Sequence, residues 1–249
     1  MRQYTQQELL QLNYRDLERV FLDYLKNKSG HIRDKQHFLL KWVNPRENEV
    51  ILECGSSSGK TCIDFAKKSR CYMIGVDFDD NAIKVSEKMQ KKYFPELNYK
   101  CVFIKDDLTK MIFDNKIKKI LMPDFSEHIY DNTFRDILNN MKQLQDVKLY
   151  IYTPVKTHLF EILKHKNILL KSSKEHINIK TENEMIKFLE KNDWRIIEKK
   201  WRPSYLPFVR VFEVLLGNMP VIGKYFHRKM AIIITPNRIL SKNINGTEI

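Results

Sequence analysis

The sequence has no cysteine pair spaced as CxxC. Its four cysteines, Cys54, Cys62, Cys71 and Cys101, fall within about fifty residues of one another. Three sit in or beside apolar runs, which points to reduced, buried thiols in a cytoplasmic chain rather than a disulfide scaffold. The opening stretch holds no long apolar core of a secretory leader. No run approaches the ~18 apolar residues of a membrane span. Internal repeats and low-complexity tracts are missing too. With 43% apolar and 30% charged residues over 249 positions, the chain can bury a sizeable core. That excludes a disordered tail protein and fits one large α/β domain with a small accessory part.

Acidic residues are in short supply, 31 against 44 basic ones, for a net charge of +13. The shortage is uneven. Residues 1–147 carry 25 basic and 22 acidic side chains, whereas residues 148–249 carry 19 and 9. The C-terminal part therefore expects an anionic partner, although a basic surface that serves only solubility explains the count equally well.

Apolar residues at Leu9, Leu10, Leu12, Leu17, Val20, Phe21, Tyr24 and Leu25 suit one or two amphipathic helices, and His31–Val43 repeats the pattern. Asn44-Pro45 closes this segment. Strands are expected at Glu49–Leu52, Tyr72–Val76, Tyr99–Ile104, Ile117–Met122, Lys148–Thr153, Trp194–Lys200 and Lys229–Thr235. Helices are expected after Gly59 and at Asn81–Tyr93, Asn132–Leu144 and Thr181–Asn192, the last opened by a capping-box pattern, Thr181-Glu182-Asn183-Glu184. Alternating strands and helices predict a doubly wound, mostly parallel seven-stranded α/β sheet with a helical N-terminal cap. The last two strands fit an antiparallel pair at the sheet end. The expected division is a cap over 1–45, a main domain over 46–236 and a frayed tail over 237–249.

The most informative stretch is Glu49–Thr61, EVILECGSSSGKT. An apolar strand ends in an acid, Glu53, and Gly55, Ser57 and Gly59 then alternate before a helix begins. Small residues let a ligand approach the backbone, and a helix N-terminus offers unpaired N–H groups. A carboxylate at Glu53 repels phosphate and attracts an ammonium group. Gly59-Lys60-Thr61 ends like a nucleotide-binding P-loop, but the first glycine of that motif falls at Cys54. The second strand ends in another acid, Asp77, where doubly wound sheets meet a ribose hydroxyl.

This combination resembles the class I S-adenosylmethionine-dependent methyltransferases, whose first motif reads acid-x-Gly-x-Gly-x-Gly. Glu53-Cys54-Gly55-Ser56-Ser57-Ser58-Gly59 follows it with serine at the middle glycine. Gly75-Val76-Asp77-Phe78 is similar to the ribose-binding motif. Phe103-Ile104-Lys105-Asp106-Asp107-Leu108 is similar to the segment beside adenine, with Asp107 the better aligned acid. The resemblance covers about residues 32–236. It implies the Rossmann-like methyltransferase fold, S-adenosyl-L-methionine as cofactor, and Glu53, Gly55, Ser57, Gly59, Asp77, Phe78, Asp107 and Leu108 as its binding residues.

Pro123-Asp124-Phe125-Ser126-Glu127-His128-Ile129 resembles the family's fourth-strand motif. Three readings stand side by side. Glu127 or His128 acts as a general base on the acceptor. Alternatively, Asp124, Glu127 and His128 join His176, or in second place His158, around a divalent metal, as in ubiquinone-pathway O-methyltransferases and small-RNA 2′-O-methyltransferases. In the third reading Glu127 and His128 only cap the next element and line the pocket.

Residues 203–227 are apolar, broken by Pro207, Gly217, Pro220 and Gly223, and flanked by Arg202, Arg210, Lys224, Arg228 and Lys229. They suit a substrate lid, a lipophilic acceptor met at a membrane surface, a dimer contact, or plain core packing. The function expected is methyl transfer to an oxygen of a small-molecule or lipid-like acceptor, an anionic one fitting the charge, with peripheral membrane contact as one setting. An RNA 2′-O-methyltransferase with a metal site competes with it, ranked lower because no aromatic RNA-binding motif is present. A nucleotide-binding module using Gly59-Lys60-Thr61 is the reading from another class. The oligomeric state is not legible.

Overall fold

The computed structural model describes residues 16–26, 30–165 and 176–237. Seven strands form one sheet: β1 (Val50–Cys54), β2 (Tyr72–Asp77), β3 (Cys101–Lys105), β4 (Ile117–Pro123), β5 (Lys148–Pro154), β6 (Trp194–Arg202) and β7 (Lys229–Pro236). Their order is β3-β2-β1-β4-β5-β7-β6. The first five pair in parallel, and β7 runs antiparallel between β5 and β6. This is the expected doubly wound sheet with an antiparallel pair at its end.

The helices are α1 (Leu17–Leu25), α2 (Gly30–Val43), α3 (Lys60–Ser69), α4 (Asp80–Tyr93), α5 (Asp131–Met141), α6 (Leu159–His165), α7 (Glu182–Lys191) and α8 (Pro207–Gly217). Side chains alternate across each strand, so one strand feeds two cores. On β5, Leu149 and Ile151 join Phe134 and Leu138 of α5 and Leu189 of α7. Tyr150 and Tyr152 of the same strand join Phe21, Leu39, Phe65 and Met89 from α1, α2, α3 and α4. On β1, Leu52 and Cys54 face the first core and Ile51 the second.

The N-terminal helices are packed, not loose. Phe21 is fully buried, with ring centroids 6.3 Å from Tyr93 and 6.5 Å from Phe94. Along α2, Phe38 and Trp42 lie over Tyr152 and Tyr150, at 5.6 and 5.2 Å. Residues 1–15 and 238–249, where further cap and the tail are expected, lie outside the described residues.

Most boundaries differ from the sequence expectation by one to three residues for local reasons. The strand expected at Glu49–Leu52 runs on to Cys54, because the left-handed turn comes at Gly55 and not at the acid. The helix expected over Asn132–Leu144 stops at Met141, and Leu144 is buried from a turn in which its N–H donates to the Met141 carbonyl. Within 203–227 a real helix, α8, starts with Pro207 at its first position, where proline's fixed φ is favourable. Core packing does not explain this segment, since Phe208 is 85% and Val221 83% exposed.

Candidate active site

The carboxyl ends of the parallel strands carry the polar residues. The loop after β1 is sewn to β2: the N–H groups of Gly55 and Ser56 donate to the Val76 carbonyl at 2.8 and 3.1 Å. Ser57 N–H donates to Asp77 Oδ2 at 2.9 Å. Gly59 sits at φ 76°, and a Cβ there would lie 2.5 Å from the Phe103 ring, so only glycine fits. Ser57 adopts φ 51° without being glycine. That left-handed backbone costs a side-chain-bearing residue about 1–2 kcal/mol, which is why the resembling motif has glycine at this position.

Glu53 is buried against the start of α3, and its Oε2 accepts from the Cys62 thiol at 3.0 Å. Burial raises its pKa, opposed by the Cys62 and Thr61 donors. Asp77 is raised likewise by burial, against the Asp79 and Ser57 N–H groups. Each oxygen of Asp77 accepts one backbone N–H, from Ser57 and Asp79. A carboxylate has about four acceptor sites, so capacity remains for a ligand's hydroxyls. The loop hydroxyls of Ser56 and Ser58 are buried with no hydrogen-bond partner among the described residues. The loop, in short, is rich in polar capacity that the protein itself does not use.

Phe78 is 40% exposed at the end of β2. Asp106 N–H donates to the Asp77 carbonyl at 3.2 Å, which brings the segment after β3 alongside. There Asp107 is occupied by the N–H and hydroxyl of Thr109, and Leu108 is a buried core residue whose carbonyl accepts from Asn140 at 3.0 Å. Thr61, the last residue of the P-loop-like triplet, is buried and accepts from Gln36 Nε2 at 3.0 Å. Together with buried Cys54 at the first glycine position, this suits a phosphate cradle poorly.

After β4 the chain turns sharply, with Asp124 at φ 52° and its N–H on the Tyr152 carbonyl at 2.7 Å. Its carboxylate is clamped by two lysines. Lys35 of α2 reaches it at 2.8 Å, and Lys229, which the antiparallel register brings to the same end of the sheet opposite Pro154, completes the clamp. Burial alone would raise the Asp124 pKa, but the lysines outweigh it and hold the group well below the usual carboxylate range.

Glu127 is fully buried in the short turn Ser126–His128. One oxygen accepts from Thr153 Oγ1 at 3.1 Å. The other, Oε1, has no hydrogen-bond partner among the described residues, and Lys229 Nζ stands 3.9 Å away. Burial lifts its pKa to about 7, with Lys229 pulling it down and Asp124 pushing it up. The His128 and His176 rings meet edge to face at 5.1 Å, and ligand atoms of Glu127, His128 and His176 all lie within 4.8 Å of one another. The Asn178 N–H on the Glu127 carbonyl, 3.1 Å, ties the His176 segment to this turn.

The expected four-residue set is thus brought together only in part. Asp124 is spent on lysines instead of joining the trio. His158, the second choice for His176, is buried elsewhere and pairs with Glu213 at 3.0 Å.

Sequence reasoning missed Lys35, Tyr152 and the Asp124 clamp. His31, Lys35, Tyr152, Tyr205, Arg228 and Lys229 line one small cavity at this end of the sheet. The helical spacing of His31 and Lys35 was the signal that could have placed both on one face. His31 is pushed down to about 4, by burial first and then by Lys35. A larger cleft of about 400 Å³ is lined by Asp131, Lys156, Asn178, Lys180, Glu184, Lys187 and Lys191.

A family model described as a methyltransferase domain matches residues 45–201. No curated protein gives a significant match. Among solved structures, magnesium protoporphyrin IX methyltransferase from Synechocystis PCC 6803 is similar over 82% of this chain and 83% of its own, at 14% identity and TM-score 0.60. Geranyl diphosphate C-methyltransferase from Streptomyces coelicolor A3(2) is similar over 82% and 80%, at 10% identity and TM-score 0.57. A small-RNA methyltransferase matches 82% of this chain with 25% of its own, at 14% identity and TM-score 0.61.

Proposed function

The chain belongs to the class I S-adenosylmethionine-dependent methyltransferases, and we propose that it methylates an oxygen of an anionic small-molecule or lipid-like acceptor. The observation that carries this reading is Glu127, a fully buried carboxyl at the carboxyl end of β4 with one oxygen left unpartnered.

The loop fits the cofactor. Its unpartnered Ser56 and Ser58 hydroxyls and the spare acceptor capacity of Asp77 call for a polar ligand. Glu53 is assigned to the side of the ammonium group, whose charge would offset the cost of ionising a buried carboxyl. Asp77 is assigned to the ribose hydroxyls and the exposed ring of Phe78 to the adenine face. Gly55, Ser57 and Gly59 supply close backbone approach. Asp107 and Leu108 border the base, Leu108 through its backbone because its side chain is committed to the core.

When bound, S-adenosylmethionine supplies an electrophilic methyl group. What remains for the chain is to hold the acceptor oxygen in line and to take its proton, and positioning provides much of the rate. Glu127 is assigned the proton, with His128 beside it. Lys35, Lys229, Arg228 and the neutral His31 border the acceptor side, where the lysines and arginine outnumber Asp34 and Asp124. A carboxylate or phosphate on the acceptor would be held there. Both lysines are already paired to Asp124, so the attraction comes from the excess cation.

A second reading has its own observation. The four lysines of the larger cleft, which Asn178 ties to the Glu127 turn through its N–H on the Glu127 carbonyl, suit an RNA backbone, and the trio of Glu127, His128 and His176 offers nitrogen and oxygen ligands to a divalent cation. Transfer of tritiated methyl from S-adenosylmethionine into fractionated cell extract separates the two. We expect label in the lipid or small-molecule fraction, undiminished by EDTA and lost with Glu127→Gln. Label in RNA that EDTA suppresses would overturn the first reading for the second.

A further inference from the structure

Helix α8 is built inside out. Phe208, Val211, Phe212 and Leu215 recur at helical spacing on one stripe, and Met219 and Val221 extend it past the helix end. Their exposures are 85, 57, 61, 64, 47 and 83%. The opposite face holds Glu213, which is buried, bonded to His158 at 3.0 Å, and accepting the Ser204 N–H. The fold thus hides the helix's single acid and presents its hydrocarbon to the outside. Contiguous exposed apolar surface of this kind marks a contact site.

Charge narrows the partner. Glu213 is the only acid between Pro203 and Asn237, so the charged side chains that this segment itself exposes are cations, Lys224 and Arg210, the latter 3.7 Å from Asp34 of α2. A symmetric pairing of two copies through the stripe would set these cations against their own duplicates. An anionic lipid surface matches both features at once. The helix is eleven residues long, and no helix among the described residues is long and apolar enough to cross a membrane. It can therefore lie in the headgroup layer but not span it.

We infer that α8 and the turn after it dock the protein on an anionic bilayer, with the apolar stripe among the acyl chains and Arg210 and Lys224 at the headgroups. The segment leads directly into Arg228 and Lys229, so docking sets the acceptor side of the site at the lipid boundary. The inference rests on the proposed lipid-like acceptor only for its purpose, and the binding test needs no acceptor.

The test is co-sedimentation of the full chain with phosphatidylcholine vesicles and with phosphatidylcholine–phosphatidylglycerol vesicles, at low and high salt. The wild type is expected to sediment with the anionic vesicles and to be released from them by salt. Phe208→Glu with Phe212→Glu should weaken that binding about a hundredfold, on the order of tenfold per aromatic withdrawn, with an unchanged melting temperature. Lys224→Glu should abolish the preference for anionic lipid. No binding by the wild type, or binding indifferent to the paired phenylalanine changes, would overturn the inference. So would a wild-type dimer that those changes dissociate, since the stripe would then be a protein interface. Affinity for S-adenosylhomocysteine measured on the same samples keeps the two proposals apart: its loss with vesicle binding intact would sink the proposed function and leave docking standing.

Discussion

Glu127 and Asp124 show how two carboxyls three residues apart come to opposite electrostatic states. Asp124 has two lysines on it and stays ionised far below the usual range, so its contribution to stability is present above the ordinary Asp value and fades as pH falls through its native pKa. Glu127 is buried with one weak hydroxyl donor and a lysine at 3.9 Å, so its pKa climbs to about 7. Its native pKa is raised, so its stabilising contribution is full below the ordinary Glu value and is lost as pH rises through about 7. A base must be ionised to accept a proton. We therefore expect kcat/KM to rise with pH through an apparent pKa near 7. Glu127→Gln should lower kcat about a hundredfold or more and remove that limb. A pH–rate profile with the same limb in the variant would take the proton from Glu127. Strand-end acids and the serine among the glycines were legible because their partners are local in sequence. The clamp on Asp124 was not, since Lys35 lies 89 residues before it and Lys229 105 residues after.

At the scale of elements, α7 is the helix whose start was written most plainly. The Glu184 N–H donates to Thr181 Oγ1 at 3.2 Å and the Thr181 N–H to Glu184 Oε2 at 2.7 Å, the reciprocal box that the residue pattern predicts. Thr181→Ala should cost about 1 kcal/mol, read as a fall of about 2–4 °C in Tm for a chain of this size. An unchanged Tm would mean that tertiary packing of Met185 and Leu189 alone fixes the helix. Helix α8 is the contrasting case. Read from the residues, 203–227 is an apolar segment broken by Pro207, Gly217, Pro220 and Gly223, with no helix placed in it and nothing to say which stripe would face in. That choice is made by Glu213 meeting His158, 55 residues away, and only the folded chain brings the two together. The antiparallel β7 belongs with it, because the reversal of that one strand delivers Lys229 to the site.

At the scale of the whole molecule, the alternation of strands and helices was enough to read the doubly wound sheet. Two cores, one per face, leave only the carboxyl edge of the sheet for chemistry. The net +13 divides accordingly. The nearly balanced first 147 residues hold the loop and strand-end acids assigned to the cofactor, and the basic remainder holds Arg228, Lys229, the lysine cleft and α8. The assignment that everything else depends on is the cofactor at Glu53, Asp77 and the loop between them, and calorimetric titration with S-adenosylhomocysteine tests it most directly. The predicted result is a saturable binding heat for the wild type, with affinity reduced about a hundredfold in Asp77→Ala, as expected for losing hydrogen bonds to a charged acceptor, while the variant still melts cooperatively. The contradicting result is no binding heat in the wild type, or an affinity that a folded Asp77→Ala variant leaves unchanged.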